Sequence, residues 1–209
     1  DFIKLCLNKL DLMKKLSMEN ISNIDTYEFS ENKYLNQFPY IIKPIYGRGS
    51  RGVRLVYTKD SFLEKNHNNQ NLMIQKFISG DEYSVGVNVN NLNQILSISS
   101  RKIIEKKGIT IKAITAKKEK INKTVKLIVE RLKPCGPFNV QLIIDKQNSI
   151  NIFEINPRFS TTLLLSYYSG INEIRMYLFY YNKKFKNKLF ESRDNLYLKR
   201  RWENILYEI

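Results

Sequence analysis

Histidine is nearly absent from this 209-residue chain, with His67 standing alone. A single imidazole, held in the polar run Asn66–Asn71, excludes a Ser-His or Cys-His nucleophile system and a His-built zinc site. Cysteine is scarce as well. Cys6 and Cys135 lie far apart and match no metal-ligand or redox spacing, which predicts two buried thiols without chemistry. No run reaches the roughly 18 unbroken apolar residues of a membrane span. Asp1–Leu16 has neither an uncharged apolar stretch nor a small-residue cleavage site, so a cytoplasmic protein with no membrane partner is expected.

Acidic residues are few beside the basic ones, 20 against 35, giving a formal charge of +15. The lysines are scattered along the chain rather than gathered in a block. This predicts a basic, solvated surface that favours anionic small molecules, with no nucleic-acid partner expected. Apolar residues make up 43% and aromatics 12%, enough to bury a core in one large domain or two small lobes.

Leu5, Leu12, Met13 and Leu16 recur at helical spacing among lysines, so the chain is expected to begin inside a helix whose later turns Asn8 could cap. The apolar run Tyr40–Ile45 reads as a strand leading into a glycine loop, Val53–Tyr57 as a second strand, and Lys59–Lys65 as a short helix. Leu72–Ile78 is another strand, followed by a turn at Ser79-Gly80-Asp81. Glu82–Val89 and Ile95–Ile104 alternate on either side of Asn90–Asn93, the pattern of an antiparallel hairpin. Lys120–Leu132 is helical and stopped by Pro134-Cys135-Gly136-Pro137, and Thr161–Tyr168 is a later helix. Ile104–Thr115 reads as a variable loop, and Leu196–Ile209, with Tyr197, Trp202 and Ile205, as a final strand returning to the core.

Tyr46-Gly47-Arg48-Gly49-Ser50-Arg51-Gly52 lies between two strands, so it is no P-loop, which would open a helix with Gly-Lys-Ser/Thr. It is either a tight turn or a lid whose backbone N–H groups, with Ser50, Arg48 and Arg51, close over phosphates. Lys43 on the strand before it alternates with Ile42 and Pro44. It either lies at an edge in solvent or points inward and requires an anion. Phe138–Ile144 and Ile150–Asn156 form a hairpin around Lys146–Ser149. With that loop, Ile144 faces Asn151, Gln141 faces Glu154 and Asn139 faces Asn156. Val140, Leu142, Phe153 and Ile155 then fill the opposite face. Such a row of carboxylate and amide oxygens suits Mg²⁺ completed by phosphates, unless it is simply a solvent-facing surface shared with Ile143 and Ile152.

Together, Ile41-Ile42-Lys43-Pro44 with its glycine loop, Met73–Tyr83, and Gly136–Gln141 leading to Glu154-Ile155-Asn156-Pro157-Arg158 resemble the ATP-grasp superfamily. The likeness is closest to the carbamoyl-phosphate synthase large-subunit branch and covers roughly Lys9 to Asn172. It implies an α+β fold of two lobes with ATP held between antiparallel sheets. Residues 1–38 would be a helix and linker left after a missing Rossmann-like domain, 39–73 the lid lobe, 74–180 the large lobe with the metal site, and 181–209 an extension.

By the same resemblance Lys43 would bind ATP phosphates, with Gly47, Gly49, Ser50 and Gly52 folding over them. Gln75, Lys76, Phe77 and Ile78 would hold adenine through backbone groups, and Glu82 would take the ribose hydroxyls. Gln141, Glu154 and Asn156 would coordinate one or two Mg²⁺, with Mn²⁺ as a substitute. Arg158 would stabilise a forming acyl phosphate, and Arg101 would approach phosphate or substrate. Gln75 and Gln141 stand where many relatives carry acids. The activity implied is a Mg-ATP-dependent ligase joining a small carboxylate to an amine or ammonia; the sequence leaves the oligomeric state open, with a homodimer as one option. The rival readings are an ATP-binding module without turnover and a basic nucleic-acid-binding protein.

Overall fold

The computed structural model describes residues 1–29, 37–47, 49–59, 61, 71–185 and 190–201. Arg48, most of the helix expected over Lys59–Lys65, His67, Trp202 and Ile205 lie outside the described residues. The elements run α1 (Phe2–Leu7), α2 (Lys9–Met18), β1 (Thr26–Glu28), β2 (Tyr40–Pro44), β3 (Arg54–Val56), β4 (Leu72–Lys76), β5 (Gly80–Val89), β6 (Ile95–Lys107) and β7 (Ile109–Thr115). There follow α3 (Glu119–Leu132), β8 (Gly136–Asp145), β9 (Ile150–Asn156), α4 (Leu163–Tyr168), α5 (Glu173–Tyr180), β10 (Phe190–Glu191) and β11 (Tyr197–Lys199).

Two sheets result. The smaller has the order β1-β4-β2-β3 and is antiparallel throughout. The larger runs β11-β7-β6-β5-β8-β9, also antiparallel, with the short β10 added to β6 in parallel. This is the expected α+β architecture. The expected lobe boundary between residues 73 and 74 falls inside β4, and β1 from the supposed N-terminal linker belongs to the small sheet. The segment read as a variable loop over Ile104–Thr115 is the end of β6 and the whole of β7, joined at Gly108 with φ of 70°. β11 pairs with β7, so the chain does return to the large sheet at Tyr197–Lys199.

Period-2 patterning gives the large sheet two unlike faces. Tyr83, Val85, Val87 and Val89 of β5 join Phe138, Val140 and Leu142 of β8 and Ile150, Ile152 and Ile155 of β9 in one core. Helices cover that core. In α3, Ile121, Val125, Ile128 and Val129 make a buried stripe at helical spacing, and Lys133 ends the helix with φ of 46°. The single N-terminal helix expected from the sequence is two helices. Asn8 takes extended backbone, and its side-chain oxygen accepts from Leu10 N and Asp11 N to cap α2. The restart lets α2 turn Leu10, Leu12, Met13 and Leu16 onto the sheet. Cys6 is buried in this core, and burial pushes its thiol up to about 12, whereas Cys135 is exposed, contrary to the expected pair of buried thiols.

The opposite face carries Glu82, Ser84, Gly86 and Asn88 of β5, and it looks across at the small sheet. A Cβ built on Gly80, the first residue of β5, would lie 2.2 Å from the backbone oxygen of Ile144. Gly80→Ala is therefore expected to lower stability by about 1–3 kcal/mol, because β5 must move off β8 to admit it. Urea unfolding checks this, and a cost below about 0.5 kcal/mol would show that the first β5–β8 pairs are dispensable.

Candidate functional site

A cavity of about 300 Å³ lies where the two sheets face each other. In the small sheet, Tyr40, Ile42, Val56, Leu72 and Ile74 pack into their own core. Alternation therefore turns Ile41, Lys43 and Gln75 to the other side, where they line the cavity with Phe77 and Ile78. The large sheet contributes Glu82, Lys106, Ile143, Phe153 and Glu154. Gly47, Gly49, Ser50, Arg51 and Val53, at the tip of the β2–β3 hairpin, form a flap over it. Gly49 has φ of 65° and Gly52 φ of 72°, conformations that glycine adopts without strain. Gly52 does not line the cavity and packs against Pro44 instead.

A second, more polar cavity continues from the first. Glu82, Ser84, Asn139, Gln141, Glu154, Asn156, Arg158 and Ser160 line it, and Gly49 and Ser50 reach it from the flap. Asn139 opposes Asn156 and Gln141 opposes Glu154 in the observed register, as expected. The pairing then slips by one residue: Leu142 meets Ile152, Ile143 meets Asn151 and Ile144 meets Ile150. Phe153 is the additional residue of a β-bulge. The expectation that Phe153 fills the core, with Ile152 on the polar face, is thus reversed. Ile152 is fully buried in the core and Phe153 lines the cavity beside Glu154.

Positive charge dominates this space. Lys9, Lys43, Arg51 and Lys106 line the larger cavity against the carboxylates of Glu82 and Glu154. Lys43 is 6% exposed and its Nζ donates to the Phe153 carbonyl oxygen at 3.0 Å. Burial pushes its ammonium down to about 8, opposed by Glu154 and reinforced by Lys9 and Lys106. Lys9 is held down for the same reason, with Glu154 opposing, and its Nζ donates to the Gly47 oxygen at 2.8 Å, tethering the base of the flap. Lys106 donates to Glu82 Oε1 at 2.8 Å and to Gln141 Oε1 at 3.4 Å. Both Lys43 and Lys106 sit over the Phe153 ring, at 5.7 Å and 5.8 Å from its centroid.

Most of the residues named from the sequence thus gather around one cleft, with exceptions. Lys76 points away from the larger cavity and its Nζ donates to Gln37 Oε1. The backbone N–H groups of Lys76 and Phe77 already donate to Asp25 and Pro39 carbonyls, so an adenine held here would use the remaining backbone groups of the strand end. Arg158 is exposed and lines the polar cavity. Arg101 does not reach either cavity: it lies on the cleft-facing side of β6 but is wholly buried and paired with Glu173 of α5. Sequence reasoning missed Lys9, Lys106 and Phe153. Register shifts at Ile103/Glu105 and Glu105/Lys106 bring Lys106 into the cleft, and a strict period of two does not show such shifts. Among the described residues no three His, Cys, Asp or Glu side chains form a metal cluster, and no helix is long and apolar enough to cross a membrane.

A family model described as an ATP-grasp domain matches residues 6–162. No curated protein matches the chain. Among solved structures, the biotin carboxylase domain of Hydrogenobacter thermophilus 2-oxoglutarate carboxylase is similar at TM-score 0.77 and 13% identity, over 93% of this chain and 49% of that one. N5-carboxyaminoimidazole synthetase from Staphylococcus aureus, complexed with ADP, gives TM-score 0.77 and 18% identity over 90% of this chain and 55% of its own. L-amino acid ligase from Bacillus licheniformis gives 0.67 and 21% over 83% and 47%. The chain spans about half the length of these structures, and at such identities the likeness is one of fold.

Lys43 carries a pH signature. Its folded value of about 8 lies below the 10.5 of a free lysine, so between these values the unfolded chain binds more protons. Stability should therefore rise as pH increases from about 8 to about 10.5, and the rise should be missing in Lys43→Met. Urea unfolding across this range is the check, and equal slopes for the two proteins would contradict the burial of this ammonium.

Proposed function

Since the chain belongs to the ATP-grasp family, matched over residues 6–162, we propose that it binds Mg-ATP in this cleft and activates a carboxylate as an acyl phosphate for capture by an amine or ammonia. The observation that carries the reading is the surplus of cationic side chains over carboxylates between two sheets, beside a row of neutral and anionic oxygens. An uncompensated buried ammonium is costly, and a polyphosphate offsets that cost.

The donor set fits a hard divalent ion. Glu154 supplies a carboxylate, and Gln141 and Asn156 supply amide oxygens on the same face. With a single carboxylate the remaining ligands would come from phosphate, and Mn²⁺ would substitute for Mg²⁺. Such an ion, when bound, neutralises phosphate charge and aligns the γ-phosphoryl group.

The protein's own groups would do the rest. Lys43, Lys9 and Lys106 hold the phosphates, and the Gly47–Gly52 flap excludes water once it closes. A carboxylate oxygen of the acceptor attacks the γ-phosphorus, the bond to the bridging oxygen breaks, and ADP leaves with the electron pair. Arg158 faces the oxygens of the acyl phosphate, and an amine then displaces phosphate from the acyl carbon. Positioning and charge neutralisation suffice for this chemistry, so no side-chain nucleophile is required. A carboxylate–amine ligase and a carbamoyl-phosphate synthase-like reaction both conform to this scheme. The S. aureus neighbour bound to ADP and the amino acid ligase support the ligase class.

The test is ADP release by the full-length protein with a panel of carboxylates and amines. Stimulation by one pair supports the reading, whereas tight Mg-ATP binding without stimulated ADP release would make the domain a nucleotide-binding module. The double change Glu154→Ala/Asn156→Ala should cut Mg-dependent nucleotide affinity at least about tenfold while leaving metal-free affinity intact. Calorimetry with and without Mg²⁺ measures this, and unchanged Mg dependence would remove these residues from the metal site. Nucleotide binding should also take up protons above about pH 8, because phosphate favours the charged form of Lys43. Calorimetry in buffers of different ionisation enthalpy should show that uptake vanish in Lys43→Met.

A further inference from the structure

The polar face of the large sheet continues beyond the cleft into the body of the protein. Under α4 and α5, Arg101 and Glu173 form a buried ion pair, Nη2 to Oε1 at 2.5 Å, with side chains 0% and 1% exposed. Room for it is made on β5: a Cβ at Gly86 would lie 2.8 Å from Glu173 Oε1 and 2.9 Å from Arg101 Nη2. A buried pair of this kind gains little stability over an apolar pair of similar volume, so its presence invites a role in specifying geometry.

The geometry it specifies is that of the turn after β9. Arg101 Nη1 donates to Thr162 Oγ1 at 3.1 Å. Thr162 Oγ1 lies 2.8 Å from Ser160 Oγ, and the Thr162 backbone N–H donates to that same oxygen at 3.2 Å. Ser160 Oγ is in turn 3.2 Å from Ser84 Oγ, which donates to Asn139 Oδ1 at 2.8 Å. Thr162 is fully buried and lines neither the larger nor the polar cavity, whereas Ser160, Ser84 and Asn139 all line the polar one. A continuous chain of hydrogen bonds therefore runs from the ion pair to the cavity wall. The segment 157–162 that it fastens carries Arg158, whose own side chain is exposed and, among the described residues, bonded only locally, to the Phe159 carbonyl oxygen at 3.0 Å.

We propose that the Arg101–Glu173 pair is a positioning device: acting through Thr162 and Ser160, it holds the 157–162 segment so that Arg158 meets the terminal phosphate of a bound nucleoside triphosphate. The proposal rests on the nucleotide reading of the cleft, and it assigns Arg101 a place behind the site rather than in it. Its signature is selectivity. Losing the link should remove discrimination of a triphosphate from a diphosphate and spare the contacts that both share.

Calorimetry of the full chain with Mg-ADP and with the Mg complex of the β,γ-imido analogue of ATP tests it. The unaltered protein should bind the analogue at least about tenfold more tightly than ADP, as expected of a charged hydrogen bond to the added phosphate. Thr162→Val should lower that ratio to about twofold or less with Mg-ADP affinity unchanged, and Thr162→Ser should restore it. In an Arg158→Met background, Thr162→Val should have no further effect on the ratio. Should Thr162→Val fail to fold, Thr162→Ala, which also removes the hydroxyl that Arg101 Nη1 reaches, takes its place with the same expectation. A wild-type ratio in these variants, or an equal weakening of both nucleotides, would overturn the proposal. Absence of binding of either nucleotide to the unaltered protein would instead overturn the nucleotide reading beneath it.

Discussion

A lysine ammonium confined between two sheets is the constraint around which this molecule is arranged. Lys43 is buried, shares its surroundings with Lys9 and Lys106, and has Glu154 as the carboxylate that opposes its loss of charge. The protein offers partial compensation through the Phe153 carbonyl and the face of its ring. Both come from one structural irregularity, the bulge in β9, which turns Phe153 and Glu154 together into the cleft. What the protein leaves uncompensated is a need for anionic oxygen, and the flap tethered by Lys9 stands where it can close over such a ligand.

The site has two ends with different chemistry. Apolar side chains from both sheets, Ile41, Phe77, Ile78, Ile143 and Phe153, line the larger cavity and suit a flat ring system. The adjoining cavity is walled by Ser84, Asn139, Gln141, Asn156 and Ser160, groups that hold hydrated or charged ligands. The cationic residues Lys106 and Arg158 and the flap residues Gly49 and Ser50 line the second space, with Lys106, Gly49 and Ser50 common to both. Under the proposed function an adenine would take the first end, a triphosphate the junction and an acceptor the other end.

Much of the fold was legible because it depends on period. Alternation along Glu82–Val89, the helical stripe of α3 and the four-residue turn at Lys146–Ser149 are local signals, and the structure contains each element. The pairing of Asn139 with Asn156 and of Gln141 with Glu154 follows from the same counting. Counting fails where a residue is added. The extra Phe153 exchanged the places of Phe153 and Ile152, and the irregular end of β6 concealed Lys106. Lys9 looks like any other lysine of a basic helix until Asn8 breaks that helix and starts a new one beside the flap. Arg101 was expected to approach phosphate or substrate, but the tertiary structure covers it with α4 and α5 and pairs it with Glu173.

One experiment bears most directly on the claim that a metal-bound nucleotide sits between flap and hairpin. In crystals grown with ADP and Mn²⁺, the anomalous signal of manganese should appear within about 2.5 Å of side-chain oxygens of Glu154 and Asn156, with the diphosphate beside Lys43. A manganese peak elsewhere on the protein, or nucleotide density outside the space between the two sheets, would contradict the account.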